Sequence, residues 1–215
     1  MKADLSRVIG VVPVRSLSGS KSRLGEPLDP EERADLILGL LRRTIAAALA
    51  ARGLAGVAVV SQDMVLLRLA RHMGADAVLQ KTEGLNHALV EARTALCAEA
   101  TALLVLPADL PGVTADAIDA FVEAARLTAD GNPGRATVGL VPDRHGTGTN
   151  ALFVSPACAI EFEFGEGSRA AHMAAAASAG AAYFEMDGPP LSFDLDTPDD
   201  LLQADLAGLG HEAGR

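Results

Sequence analysis

Tryptophan is absent from the chain, tyrosine occurs once, and aromatic residues make up only 3% of the sequence. A core without large rings must be filled by Ala, Val, Leu and Ile, and the 49% hydrophobic content supplies them. That content argues against wholesale disorder. Cysteine is scarce as well. Cys97 and Cys158 are far apart and lack a C-x-x-C partner motif, so they are expected to be small buried fillers rather than metal or redox groups. No apolar run approaches the ~20 residues of a membrane helix. The short apolar stretch near the N-terminus leads into a charged loop, unlike a signal peptide, so a cytoplasmic protein is expected. Net positive charge is missing too. A formal charge of -10 argues against a nucleic-acid or anionic-membrane binder. The five histidines have no metal-ligand spacing, and neither a Ser-His-Asp order nor a G-x-S-x-G elbow occurs. His72 is expected near a helix C-terminus, and His172 is left without a role.

What is present is an alternation of strand and helix signatures. "RVIGVVPV" is short, β-branched and bounded by polar residues, as a buried strand is. "DPEERADLILGLLRRTIAAALA" follows, with Asp29 as N-cap, Pro30 at the first helical position, and Ile37, Leu40, Leu41 and Ile45 at helical spacing. Further strands are expected at "GVAVVS", "DAVLQ", "TALLVL", "RATVGLVP", "ALFVS" and "AAYFEM". Helices are expected after Met64, over residues 85–100, after the cap Thr114, near residues 168–179 and after Pro198. This order implies an α/β fold with right-handed crossovers and a mainly parallel sheet covered on both faces. No repeat or composition break divides the chain, so residues 1–215 are expected to form one domain, with 210–215 a frayed tail.

Ligands of such sheets collect beyond the carboxyl ends of the strands. "SGSKSRL" at residues 18–24 lies there, in a stretch between Asp4 and Glu26 that has no acid but contains Arg7, Arg15, Lys21 and Arg23. Ser20 separates Gly19 from Lys21, and "GEPLDP" precedes the helix, which argues against a Walker-type ATPase. The loop is either a polyphosphate grip or a solvated connector. Asp109 follows an apolar strand in "LLVLPADLPG" and is either a Mg2+ ligand or a turn cap. Asp194 and Asp196 in "FDLD" share one side of an extended backbone, where a cation would relieve their repulsion. Thr147 and Thr149 bring hydroxyls on a flexible loop. Gly165, Gly167 and Ser168 stand where a helix begins, able to bind a phosphate, with Ser168 also a candidate N-cap.

Together, "VVPVRSLSGSKSRL", "GLN" at 84–86, "PADLP", "GTGTN", "FGEGS" and "DLDTP" resemble, in this order, the CofC/FbiD guanylyltransferases of coenzyme F420 biosynthesis, over about residues 8 to 203. The resemblance implies a nucleotidyltransferase (GT-A-like, Rossmann-like) three-layer fold with a mixed, mainly parallel sheet. It implies transfer of GMP from GTP to 2-phospho-L-lactate, phosphoenolpyruvate or 3-phosphoglycerate, with release of pyrophosphate. The product would pass to a downstream transferase of that pathway, and a homodimer is suggested. By similarity, Pro13, Val14, Arg15 and Lys21 would hold the nucleotide, and Asn86 would lie beside the nucleoside. Asp109, Asp194 and Asp196 would hold Mg2+, and Thr149, Gly165 and Ser168 the acceptor, with Thr147 aligning equally well. Lys21, Arg23 and Asp109 would serve the chemistry. A phosphate monoester has its second pKa near ~6, so its oxygen attacks without a general base. The missing triad is therefore no obstacle, because the task is to bring two anions together. Two other readings stay open: a nucleotidyltransferase for a molybdopterin or sugar phosphate, and a catalytically silent GTP-binding subunit.

Overall fold

A computed structural model describes residues 1–15, 28–195, 199–200 and 202. Lys21, Arg23, Asp196 and the tail at 210–215 lie outside the described residues. Seven strands, β1 (Val8–Pro13), β2 (Gly56–Ser61), β3 (Asp76–Leu79), β4 (Ala102–Val105), β5 (Thr137–Pro142), β6 (Thr149–Ser155) and β7 (Ala182–Glu185), form one sheet among the described residues. Between them run α1 (Pro30–Ala50), α2 (Met64–His72), α3 (Leu85–Ala95), α4 (Ala115–Gly131), α5 (Ser168–Ser178) and α6 (Pro189–Ser192).

The strand order is β3-β2-β1-β4-β6-β5-β7. β6 pairs antiparallel with both β4 and β5, and every other pairing is parallel. The remaining strands therefore share one direction, and β6 alone is reversed. The carboxyl ends of β1, β4, β5 and β7 and the amino end of β6 consequently meet at one edge. Leu41, Ile45, Leu66, Leu67, Phe121 and Val122 cover one sheet face from α1, α2 and α4. Ala88, Leu89, Ala92 and Ala176 cover the other from α3 and α5. Each large apolar side chain so buried contributes roughly 1.5–3 kcal/mol.

The helix starts follow local chemistry. Asp29 accepts from the backbone N–H groups of Glu31 and Glu32, and Glu32 reaches back to the Asp29 N–H, a complete capping box. Thr114 caps α4 through the Ala117 N–H. Several expectations are corrected. Cys97 and Cys158 are exposed, because both lie in turns, where the chain runs over the surface. α3 ends at Ala95 rather than residue 100, and the short α6 was not expected. Thr149 is in a strand, not on a loop, because it pairs with Pro142 of β5.

That last pairing contains an irregularity. Val141 pairs with Ala151 but Pro142 pairs with Thr149, so Asn150 is an extra residue in β6. Ala151 and Phe153 pack on the α1/α4 face, and Leu152 and Val154 on the α3/α5 face. Strict alternation would put Thr149 with Ala151. The bulge reverses the phase and turns Thr149 toward α5.

Candidate active site

Backbone bonds gather the loops at this edge. β1 ends at Pro13, the Val14 N–H donates to the Val60 carbonyl at 3.0 Å, and Arg15 beyond it is exposed. After β4, Pro107–Gly112 is held by Arg43 of α1, whose Nη1 donates to the Pro111 carbonyl at 2.7 Å. The Leu195 N–H donates to the Asp109 carbonyl at 3.0 Å. Asp109 and Asp194 are thereby on adjoining strands of backbone. Asn150 Nδ2 makes a long contact, 3.4 Å, with Asp194 Oδ1. Asp109 and Asp194 thus bring two carboxylate-bearing residues onto adjoining loops, and carboxylate oxygen is the ligand type that a hard divalent cation prefers. No group of three His, Cys, Asp or Glu side chains able to hold a metal occurs among the described residues.

The loop at 143–148 folds on its own aspartate, for Asp143 Oδ1 accepts from the Thr147 and Gly148 N–H groups at 2.8 and 2.9 Å. It is tied to α5 by two Arg169 bonds. The Arg169 N–H donates to the Thr147 carbonyl at 3.2 Å, and Nη1 donates to the Gly146 carbonyl at 2.9 Å. The same guanidinium grips Glu185 of β7 bidentately, at 3.1 and 2.6 Å, and holds that carboxyl below the usual carboxylate range. Tyr183 also donates to Glu185, and burial pushes its phenol up.

α5 begins differently from the expectation for Ser168. Gly167, at φ 71°, is the N-cap, and Ser168 is the first helical residue, 2% exposed. Gly165 has φ 135°, so the turn before α5 requires glycine twice. A glycine cap brings no side chain to the helix end. Asn86, in the first turn of α3, clamps this turn: its Nδ2 donates to the Phe164 carbonyl at 3.0 Å and its Oδ1 accepts the Phe164 N–H at 2.8 Å.

One residue of this cluster escaped the sequence reading. His172 is fully buried, with Nδ1 at 3.1 Å from Thr149 Oγ1 and Nε2 accepting the Glu163 N–H at 3.0 Å. Phe164 meets its ring edge-on, with centroids 4.9 Å apart. Burial lowers its pKa from 6.5 to about 4. The signal was its spacing: Ser168, His172 and Ala176 form the buried stripe of α5 at i, i+4 and i+8. Of the expected residues, the structure brings together Asp109, Asp194 and Thr149 at one edge, with Thr147, Gly165, Ser168 and Asn86 on the loops and helix starts around them. A cavity of about 750 Å³ lies elsewhere, lined by Lys2, Asp4, Arg126 and Arg135 among others, and none of the candidate residues borders it.

The sequence profile of the family described as "Guanylyl transferase CofC like" matches residues 7–214. The chain belongs to this family. It is 46% identical over 201 residues to the phosphoenolpyruvate guanylyltransferase of Sphaerobacter thermophilus, covering 93% of this chain and 92% of that one. It is 43% identical over 202 residues to the phosphoenolpyruvate guanylyltransferase of Rubrobacter xylanophilus, covering 94% and 95%. A nucleotidyl transferase from Methanothermobacter thermautotroptrophicus has the same fold, with a TM-score of 0.68 and 17% identity over 95% of this chain and 98% of that one. The CofC-like chain is thus a guanylyltransferase-family protein on a nucleotidyltransferase fold. Among the described residues no helix is long and apolar enough to cross a membrane.

Proposed function

We propose that this protein transfers GMP from GTP to phosphoenolpyruvate or a closely similar phosphorylated three-carbon acid, releasing pyrophosphate, as a step toward coenzyme F420. The observation that supports the reading is the bond from Leu195 N–H to the Asp109 carbonyl, which joins the backbones of the two aspartate-bearing loops at the edge where β6 begins. Family membership and the names of the two relatives support the guanylyl group and the acid.

In this reading Asp109 and Asp194, with Asp196, hold Mg2+, to which their hard oxygens are suited. When bound, that ion supplies charge neutralisation for the phosphates. Lys21 and Arg23 hold the triphosphate with the strand end at Pro13–Arg15. Thr149, Gly165 and Ser168 hold the acid, whose phosphate oxygen is already anionic near neutral pH. The protein's own contribution is to place that oxygen in line with the α-phosphorus and to exclude water. Asn86 fixes the turn at Phe164 and lies beside the nucleoside.

The test is pyrophosphate release from GTP with phosphoenolpyruvate, 2-phospho-L-lactate and 3-phosphoglycerate in turn, with the downstream transferase present to draw off a labile product. Release with one of these acids is expected. Asp194→Asn should lower turnover by about 100-fold or more while thermal unfolding stays near that of the parent. Turnover of CTP or UTP with a sugar phosphate, or nucleotide binding without release, would replace the reading.

A further inference from the structure

We propose that His172 is a positioning residue: by donating its Nδ1 hydrogen to Thr149 Oγ1, it fixes the Thr149 hydroxyl as a donor to the acceptor acid. The inference rests on the reading above that Thr149 meets that acid. The Glu163 backbone N–H can only donate, and it lies 3.0 Å from His172 Nε2. Nε2 must therefore present a lone pair, and the neutral ring carries its hydrogen on Nδ1. Nδ1 lies 3.1 Å from Thr149 Oγ1, so the imidazole donates and the hydroxyl accepts. One lone pair of Thr149 is then occupied, and its own hydrogen is directed to a partner other than the ring.

A free threonine hydroxyl rotates and serves equally as donor or acceptor. A carboxylate or phosphate oxygen can only accept, so half of that freedom is unproductive toward an anion. The imidazole removes it before the acid arrives. Neutrality of the ring is essential, since a hydrogen on Nε2 would face the Glu163 N–H. Burial secures this, lowering the pKa to about 4. The Phe164 ring packs edge-on against the imidazole and holds its plane, and Asn86 holds Phe164. The β6 bulge supplies the other half of the arrangement, because without it Thr149 would turn from α5. The resulting site prefers an acid that offers Thr149 an ionised oxygen over one that offers a hydroxyl.

Two substitutions separate the ring's two bonds. An asparagine amide reaches the place of Nδ1, and a glutamine amide reaches the place of Nε2. In the pyrophosphate-release assay, with the acid that supports release as the varied substrate, His172→Gln should raise the KM for the acid about tenfold. His172→Asn should recover most of that loss, and the KM for GTP should move less than about twofold in both. In a Thr149→Val background, His172→Gln should add nothing further. Equal losses in the two single variants, or a full extra loss on top of Thr149→Val, would overturn the positioning role. Thr149→Val with an unchanged KM for the acid would instead remove the acceptor assignment, a failure distinct from this one. Should the variants not fold, two-bond 1H–15N correlation on the parent protein reads the tautomer directly. Hydrogen on Nδ1 is expected, and hydrogen on Nε2 would overturn the proposal.

Discussion

His172 titrates where few histidines do, and that makes its burial measurable. In the folded protein its pKa falls from 6.5 to about 4, through burial. As pH drops below 6.5 the unfolded chain takes up the proton first, so the folded state loses stability progressively until pH reaches about 4. The full loss from this one group is on the order of 3 kcal/mol. Urea unfolding at pH 7 and pH 4.5 should register it, and His172→Gln should flatten the difference. An unchanged slope in that variant would mean other groups set the acid limit. At this scale, residues whose chemistry is local are legible in the sequence. Asp29 and Thr114 cap their helices because an oxygen beside the first free N–H groups needs no distant partner. His172 is less legible, because its bonded partner Thr149 is 23 positions away. Cys97 and Cys158 are exposed against expectation, because small apolar character says nothing about a turn on the surface.

Elements were legible where period and punctuation agreed. β2 has the bounds expected for it, and the alternation of strands and helices gave the covered, mainly parallel sheet. The β6 bulge was not legible, because an extra residue appears only when a strand is set against its neighbour. Neither was the reach of Asn86 from α3 to Phe164, 78 positions on. That clamp leads to a discriminating experiment. Asn86→Ala forfeits two hydrogen bonds to backbone and should lower stability by about 1–3 kcal/mol. If the residue acts mainly by holding the turn before α5, the KM for the acid rises more than the KM for GTP. If its main role is beside the nucleoside, the order reverses.

Across the molecule, the C-terminal segment is tied to the sheet edge by charge. Arg144, on the loop after β5, pairs with Asp200, which is 1% exposed, and stacks over the Phe193 ring at 5.4 Å. Arg144→Ala leaves that carboxylate buried with less compensation. A loss of roughly 3 kcal/mol in urea unfolding is expected, and a loss under about 0.5 kcal/mol would show the pair to be dispensable. The segment carrying Asp194 lies between these anchors, so if Asp194 holds Mg2+ as proposed, the variant should also raise the Mg2+ concentration needed for half-maximal turnover.

The extra residue in β6 has an outcome for descent as well as for chemistry. It sends Thr149 toward α5 and its neighbour Asn150 toward Asp194, so two consecutive residues reach different partners at one strand end. If Thr149 meets the acid as proposed, changes along α5 would bear on the acid while the Asn150–Asp194 contact stays in place. On that reading, acceptor choice can drift in descent without rebuilding the machinery that handles the nucleotide.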